Sequence, residues 1–178
     1  MIVNVSEGNI LECTADVLIS SANPWLNMSG GINGEILSRC GMDIQNELIA
    51  YLEECGLKAV PGATVVPTKA LGLPFKHIVH AVAIDPFYES SEHLVCKTLV
   101  GAFQLADAFA AHSVAVPALA TGYGPLSHQQ FANAFIKAIH DNYFLVERIN
   151  LVLDSPEAKT AVSEVLDRFD FGAGVEIR

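Results

Sequence analysis

The stretch Ala15-Asp16-Val17-Leu18-Ile19-Ser20-Ser21-Ala22-Asn23, which leads through Pro24 and Trp25 into Ser29-Gly30-Gly31-Ile32-Asn33-Gly34, decides the reading of this chain. Its apolar residues run consecutively rather than alternating, the pattern of a strand covered on both faces. The strand ends at a polar asparagine, and a glycine pair then opens a helix. Glycines let backbone N–H groups approach an oxyanion closely, and a helix N-terminus adds favourable potential. Asn23 carries both a donor and an acceptor, a pairing that suits sugar hydroxyls. No Gly-Lys-Ser/Thr follows, which excludes a nucleoside-triphosphate P-loop. A Gly-x-Gly-x-x-Gly directly after a strand is also missing.

A second segment repeats the logic. Ser113 to Ala118 reads as a strand, and Ala120-Thr121-Gly122-Tyr123-Gly124-Pro125 carries the chain to a helix marked by the capping box Ser127-His128-Gln129-Gln130. Gly122 and Gly124 can expose successive backbone donors to a second phosphate, while Thr121 can donate its hydroxyl or cap the turn. Further strands are expected at Ala63–Val66, His77–Ile84 and Ile149–Leu153, with Ile2–Val5 and Val175–Ile177 as edge strands. Helices are expected where Asp43 caps Ile44, Leu48 and Leu52 and Gly56 ends the run, from about Ser91 to Ala111, and after Ser155-Pro156. Strands alternating with helices predict a three-layer α/β/α fold around a mixed, mostly parallel sheet of about six or seven strands. Ligands in such sheets sit beyond the carboxyl ends of the strands, here the loops after Ser20 and after Ala118.

Composition narrows the function classes. The chain has 178 residues, the size of one domain, and no linker or repeat divides 1–178. Lys and Arg total 10 against 20 Asp and Glu, a formal net charge of −10. That surface argues against nucleic-acid backbones and anionic lipid, but backbone N–H groups can still hold a small anion. No stretch approaches the ~20 apolar residues of a membrane span, the start lacks a signal-peptide pattern, and Cys13, Cys40, Cys55 and Cys96 form no C-x-x-C pair. Reduced thiols in a cytoplasmic protein are the expectation. His77 and His80 stand three apart in a strand and point to opposite faces, so no shared metal is expected.

The combination of Gly8-Asn9-Ile10, the strand ending in Ala22-Asn23, the loop Ser29-Gly30-Gly31-Ile32-Asn33-Gly34, His77 to Val82, and Val116 to Gly124 resembles the macrodomain family over most of the chain. The resemblance implies a single macrodomain over 1–178 that binds ADP-ribose, or an ADP-ribosyl group on a protein or small molecule, without a cofactor. It implies a ligand site made of Asn9, Ile10, Ala22, Asn23, Ser29, Gly30, Gly31, Ile32, Asn33, Thr121, Gly122, Tyr123, Gly124 and Asp154. It further implies that the second glycine loop straddles the diphosphate opposite the first, with Tyr123 against the distal ribose. The family's Gly-Asp-Ile aspartate accepts from the adenine amino group; Asn9 stands there instead. Asparagine accepts through its carbonyl but without ionic strengthening, so Asn9→Asp is expected to tighten adenine recognition. Asn9 can alternatively do no more than shape the turn after Gly8.

Some family members hydrolyse ADP-ribosyl derivatives, among them Appr-1″-p processing enzymes. In one hydrolase group an aspartate stands where this chain has Asn33. An amide has no useful basicity, which leaves Asn23 and Asn33 as residues that orient water or ribose rather than as a general base. The chain is a candidate ADP-ribosyl hydrolase only by another route, such as the substrate's own phosphate with a positioned water. Two readings from other classes stand beside it: a binding module for another phosphorylated nucleotide or nucleic acid, and an interaction domain whose loops hold no ligand.

Overall fold

The computed structural model describes residues 1–178. Seven strands form one sheet: β1 (Ile2–Glu7), β2 (Val17–Ala22), β3 (Val65–Lys69), β4 (His77–Val82), β5 (Ser113–Val116), β6 (Arg148–Leu153) and β7 (Glu176–Ile177). Their spatial order is β3-β4-β2-β5-β6-β1-β7, parallel throughout except for β3, which runs antiparallel to β4. β3 is an edge strand, which is why it accommodates Pro67.

Alternation along the strands divides the core in two. Val17, Ile19, Val79, Ala81, Val114, Val116, Ile149 and Leu151 face α3 (Glu92–Ala108), α4 (His128–His140) and α5 (Pro156–Leu166). Leu18, Ala22, Ile78, Val82, Ala115 and Val152 face α1 (Gly31–Cys40) and α2 (Met42–Glu54). Helices on both faces of the sheet make the three-layer α/β/α architecture.

The helix boundaries follow local chemistry. Ser127 and Gln130 form the reciprocal capping box of α4, and Ser91 and Ser155 cap α3 and α5 through their hydroxyls. At the end of α2, Leu57 N–H reaches the Leu52 carbonyl and Gly56 N–H that of Glu53, the bond pair of a Schellman motif, with Gly56 at φ 65°. Two expectations are corrected. Asp43 is not the cap of α2: Gly41, at φ 77°, both ends α1 and starts α2, leaving Asp43 in the first turn, where its charge still meets the helix dipole. Ile2–Val5 is not an edge strand either. β1 extends to Glu7 between β6 and β7, and the short β7 takes the edge.

Candidate functional site

A cleft of about 820 Å³ lies across the carboxyl ends of β4, β2, β5, β6 and β1. Five adjacent strands at ~4.8 Å spacing give it a length of roughly 19 Å. Its middle is formed by the two glycine loops. α1 starts at Gly30 with no side-chain cap, and the N–H groups of Gly31, Ile32 and Asn33 have no protein acceptor. Across the cleft, the N–H groups of Thr121, Gly122, Tyr123 and Gly124 are likewise unpaired, while the Thr121 hydroxyl donates to the Ala118 carbonyl. Unpaired donors in two facing loops, one at a helix N-terminus, make a cradle for linked anions without a single cationic side chain in the lining.

Close packing fixes this loop pair. A Cβ on Gly124 would stand 2.5 Å from the Ala120 carbonyl oxygen, and Ala120 itself sits at φ 60° with its carbonyl accepting from Leu126 N–H. Only glycine fits at 124. Tyr123, 82% exposed, reaches over the first loop, its hydroxyl 3.5 Å from the position a Gly30 Cβ would occupy.

The macro domain family model matches residues 19–135. The chain belongs to the macro domain family. It is 33% identical over 129 residues to a macro domain-containing protein of Listeria monocytogenes, covering 70% of this chain and 71% of that one. Among solved structures it is similar to an Oceanobacillus iheyensis macrodomain mutant with ADPR, at TM-score 0.82 and 22% identity over 93% of this chain and 90% of the other. The same macrodomain with ADP superposes at TM-score 0.78 with 25% identity, covering 90% and 87%.

The macro domain's cleft brings together Asn9, Ile10, Ala22, Asn23, Ser29, Gly30, Gly31, Ile32, Asn33, Thr121, Gly122, Tyr123, Gly124 and Asp154 on its walls. The three asparagines are differently employed. Asn23 ties its own turn: Oδ1 accepts from Trp25 and Asn27 N–H, and Nδ2 donates to the Asn27 carbonyl at 2.7 Å. Asn33, 8% exposed, braces α1 against the end of β2, accepting from the Ser20 hydroxyl at 2.6 Å and donating to the Ser21 carbonyl at 2.7 Å. Asn9 accepts from Leu11 N–H at 2.9 Å and donates to Glu35 Oε1 at 3.0 Å. Each of these amides positions the backbone or a neighbouring group that lines the cleft.

Other wall residues escaped the sequence reading. Ile84 and Tyr88 come from the loop after β4, a third strand ending at the same edge. Val152 and Leu153 close the far end from β6, and Glu35 reaches in from one turn above Gly31. Tyr88 packs on Trp25, ring centroids 5.9 Å apart, so Trp25 acts from behind the wall rather than in it. The two strand histidines pack into the fold: His77 stacks on Phe109, and His80 is buried with Nε2 2.9 Å from Thr68 Oγ1 and Nδ1 unpartnered. No group of three or more His, Cys, Asp or Glu is placed to hold a metal. No helix is long and apolar enough to cross a membrane.

Proposed function

We propose that the cleft binds ADP-ribose or an ADP-ribosyl group, with all of residues 1–178 acting as one macrodomain. The carrying observation is the pair of facing loops whose backbone N–H groups lack protein partners, set midway along a cleft on an otherwise acidic protein. A diphosphate is the anion that spans two such loops, and the cleft's length on either side accommodates a sugar at one end and a nucleoside at the other. Relatives of this fold solved with ADPR and with ADP support the reading. The proposed diphosphate contacts are Gly30, Gly31 and Ile32 on one side and Thr121 to Gly124 on the other, with Tyr123 folding across the bound ligand.

The proposal is recognition rather than turnover. The carboxylates lining the cleft are Glu35, which accepts from Asn9, and Asp154, which follows β6; neither is hydrogen-bonded to Asn23 or Asn33. Calorimetry with ADP-ribose, AMP, GMP and a short oligonucleotide tests the binding claim. Tight binding confined to ADP-ribose is expected; equal affinity for AMP, or no heat with ADP-ribose, overturns it. With mono-ADP-ribosylated protein as substrate, release is expected to match a buffer control.

A further inference from the structure

The cleft is polar in the electrical sense, and the charge in its lining comes from two side chains. Its β6–β1 end has apolar walls from Ile10, Val152 and Leu153, suited to the faces of a flat ring, and two carboxylates, Glu35 and Asp154. Carboxylates repel phosphate and accept hydrogen bonds, so this end takes the neutral, donor-bearing part of a nucleotide. Glu35 is held unusually well for an exposed residue. Its Oε1 accepts from Arg39 Nη2 at 2.7 Å and from Asn9 Nδ2 at 3.0 Å, and the same Arg39 nitrogen is anchored to Glu12 Oε1 at 2.8 Å. Oε2 has no protein partner. A lone Glu35–Arg39 pair one helical turn apart would be an ordinary surface contact. The third tie, from Asn9 on a different element, turns it into a fixed acceptor at the cleft wall.

We propose that Glu35 reads the exocyclic amino group of the ligand's base through Oε2, with Asn9 and Arg39 as positioning residues. The ligand class is then a nucleoside-diphosphate sugar whose base presents an amine, as adenine does, rather than a keto oxygen. This rests on the reading of the two loops as a diphosphate cradle. Asn9, whose side-chain Oδ1 accepts from Leu11 N–H in the turn, presents the carboxylate instead of contacting the base as its main acceptor. The hydrogen bonds from Asn9 first and Arg39 second hold the Glu35 carboxyl below the usual range, so it accepts rather than donates at neutral pH.

The test compares ADP-ribose with inosine diphosphate ribose, which carries the same phosphates and sugars but a keto oxygen in place of the amine. Wild-type protein, Glu35→Ala, Glu35→Gln, Arg39→Met and Arg39→Lys are titrated with both. Glu35→Ala is expected to weaken ADP-ribose about tenfold, the scale of a solvent-edge hydrogen bond to a charged group. It should leave the inosine analogue unchanged or tighter, collapsing the preference. Glu35→Gln falls between, and Arg39→Met lowers the preference by a smaller factor that Arg39→Lys restores in part. An unchanged ratio in Glu35→Ala, or a wild-type protein that binds both ligands equally, overturns the proposal and leaves the cradle standing. A wild-type protein that binds neither overturns the cradle as well.

Discussion

Asn33→Asp restores the carboxylate found in one group of hydrolases, yet the structure forecasts that it destabilises this protein in a pH-dependent way. Asn33 is nearly buried at the third position of α1, and Nδ2 donates to the Ser21 carbonyl while Oδ1 accepts from Ser20. An ionised aspartate keeps the Ser20 bond and strengthens it, and the helix N-terminus favours its charge, together by about 1–2 kcal/mol. Against that, it sets an oxygen against the Ser21 carbonyl, which loses its donor, and it desolvates a charge, costs of about 4 kcal/mol combined. The net loss is about 2–3 kcal/mol, equivalent to raising the aspartate's folded pKa about two units above its ordinary ~4. A protonated aspartic acid, by contrast, can donate to Ser21 as the amide does. With the folded pKa above the unfolded one, the folded state binds the extra proton between about pH 4 and 6, and stability falls as pH rises through that window. Thermal melts of variant and wild type in parallel, where the His80 contribution cancels, should differ by about 4–12 °C at pH 7.5. The gap should roughly halve at pH 5. A gap that is absent, or identical at the two pH values, refutes the bracing role assigned to Asn33.

Other outcomes follow from the same geometry. Gly124→Ala forces the second loop off the Ala120 backbone and should lower ADP-ribose affinity at least about tenfold, one lost loop donor at the scale of a charged hydrogen bond, together with the melting temperature, because the atoms it meets are backbone and cannot swing aside; calorimetry beside a melt checks both. Burial lowers the His80 pKa from 6.5 to about 4, so the unfolded chain binds its proton first as pH drops. Stability should be flat above about pH 6.5 and then fall by about 3 kcal/mol down to pH 4, a slope that His80→Gln flattens in denaturant titrations. Asn9→Asp should weaken ADP-ribose rather than tighten it, because a second carboxylate would replace the donor 3.0 Å from Glu35 Oε1. In a Glu35→Gln background the same exchange should recover affinity, which titration of the double variant measures.

What was legible in the chain was what neighbouring residues decide. Ser127-Gln130, Ser155-Pro156 and Gly56 announce helix ends because capping is settled within four or five positions, and both glycine loops follow strands whose apolar runs are unbroken. Asp43 misled for the same local reason: it is a good capping residue, but Gly41 already had the backbone angle that breaks the chain. The sheet order, and with it the identity of the edge strand, depends on pairings such as Glu7 with Leu153 that no local pattern encodes. Ile84 and Tyr88 follow the carboxyl end of β4, whose loop carries no glycine pair or strand-end asparagine to mark it as part of the cleft.

The Asn9 end of the cleft shows why a motif position is not a function by itself. At the place where the family carries an acceptor, this chain has Asn9, and residue by residue that looks like a weakened contact. In the fold the amide turns toward a helix 26 residues later and holds a carboxylate that Arg39 also grips. Negative charge at that end of the cleft therefore sits on the second turn of α1, and the amide and guanidinium beside it are partnered. A neutral residue at 9 is then what the arrangement requires. Two carboxylates at 3 Å would share a proton or push apart, and either response would undo the fixed position that Asn9 and Arg39 give the Glu35 carboxylate.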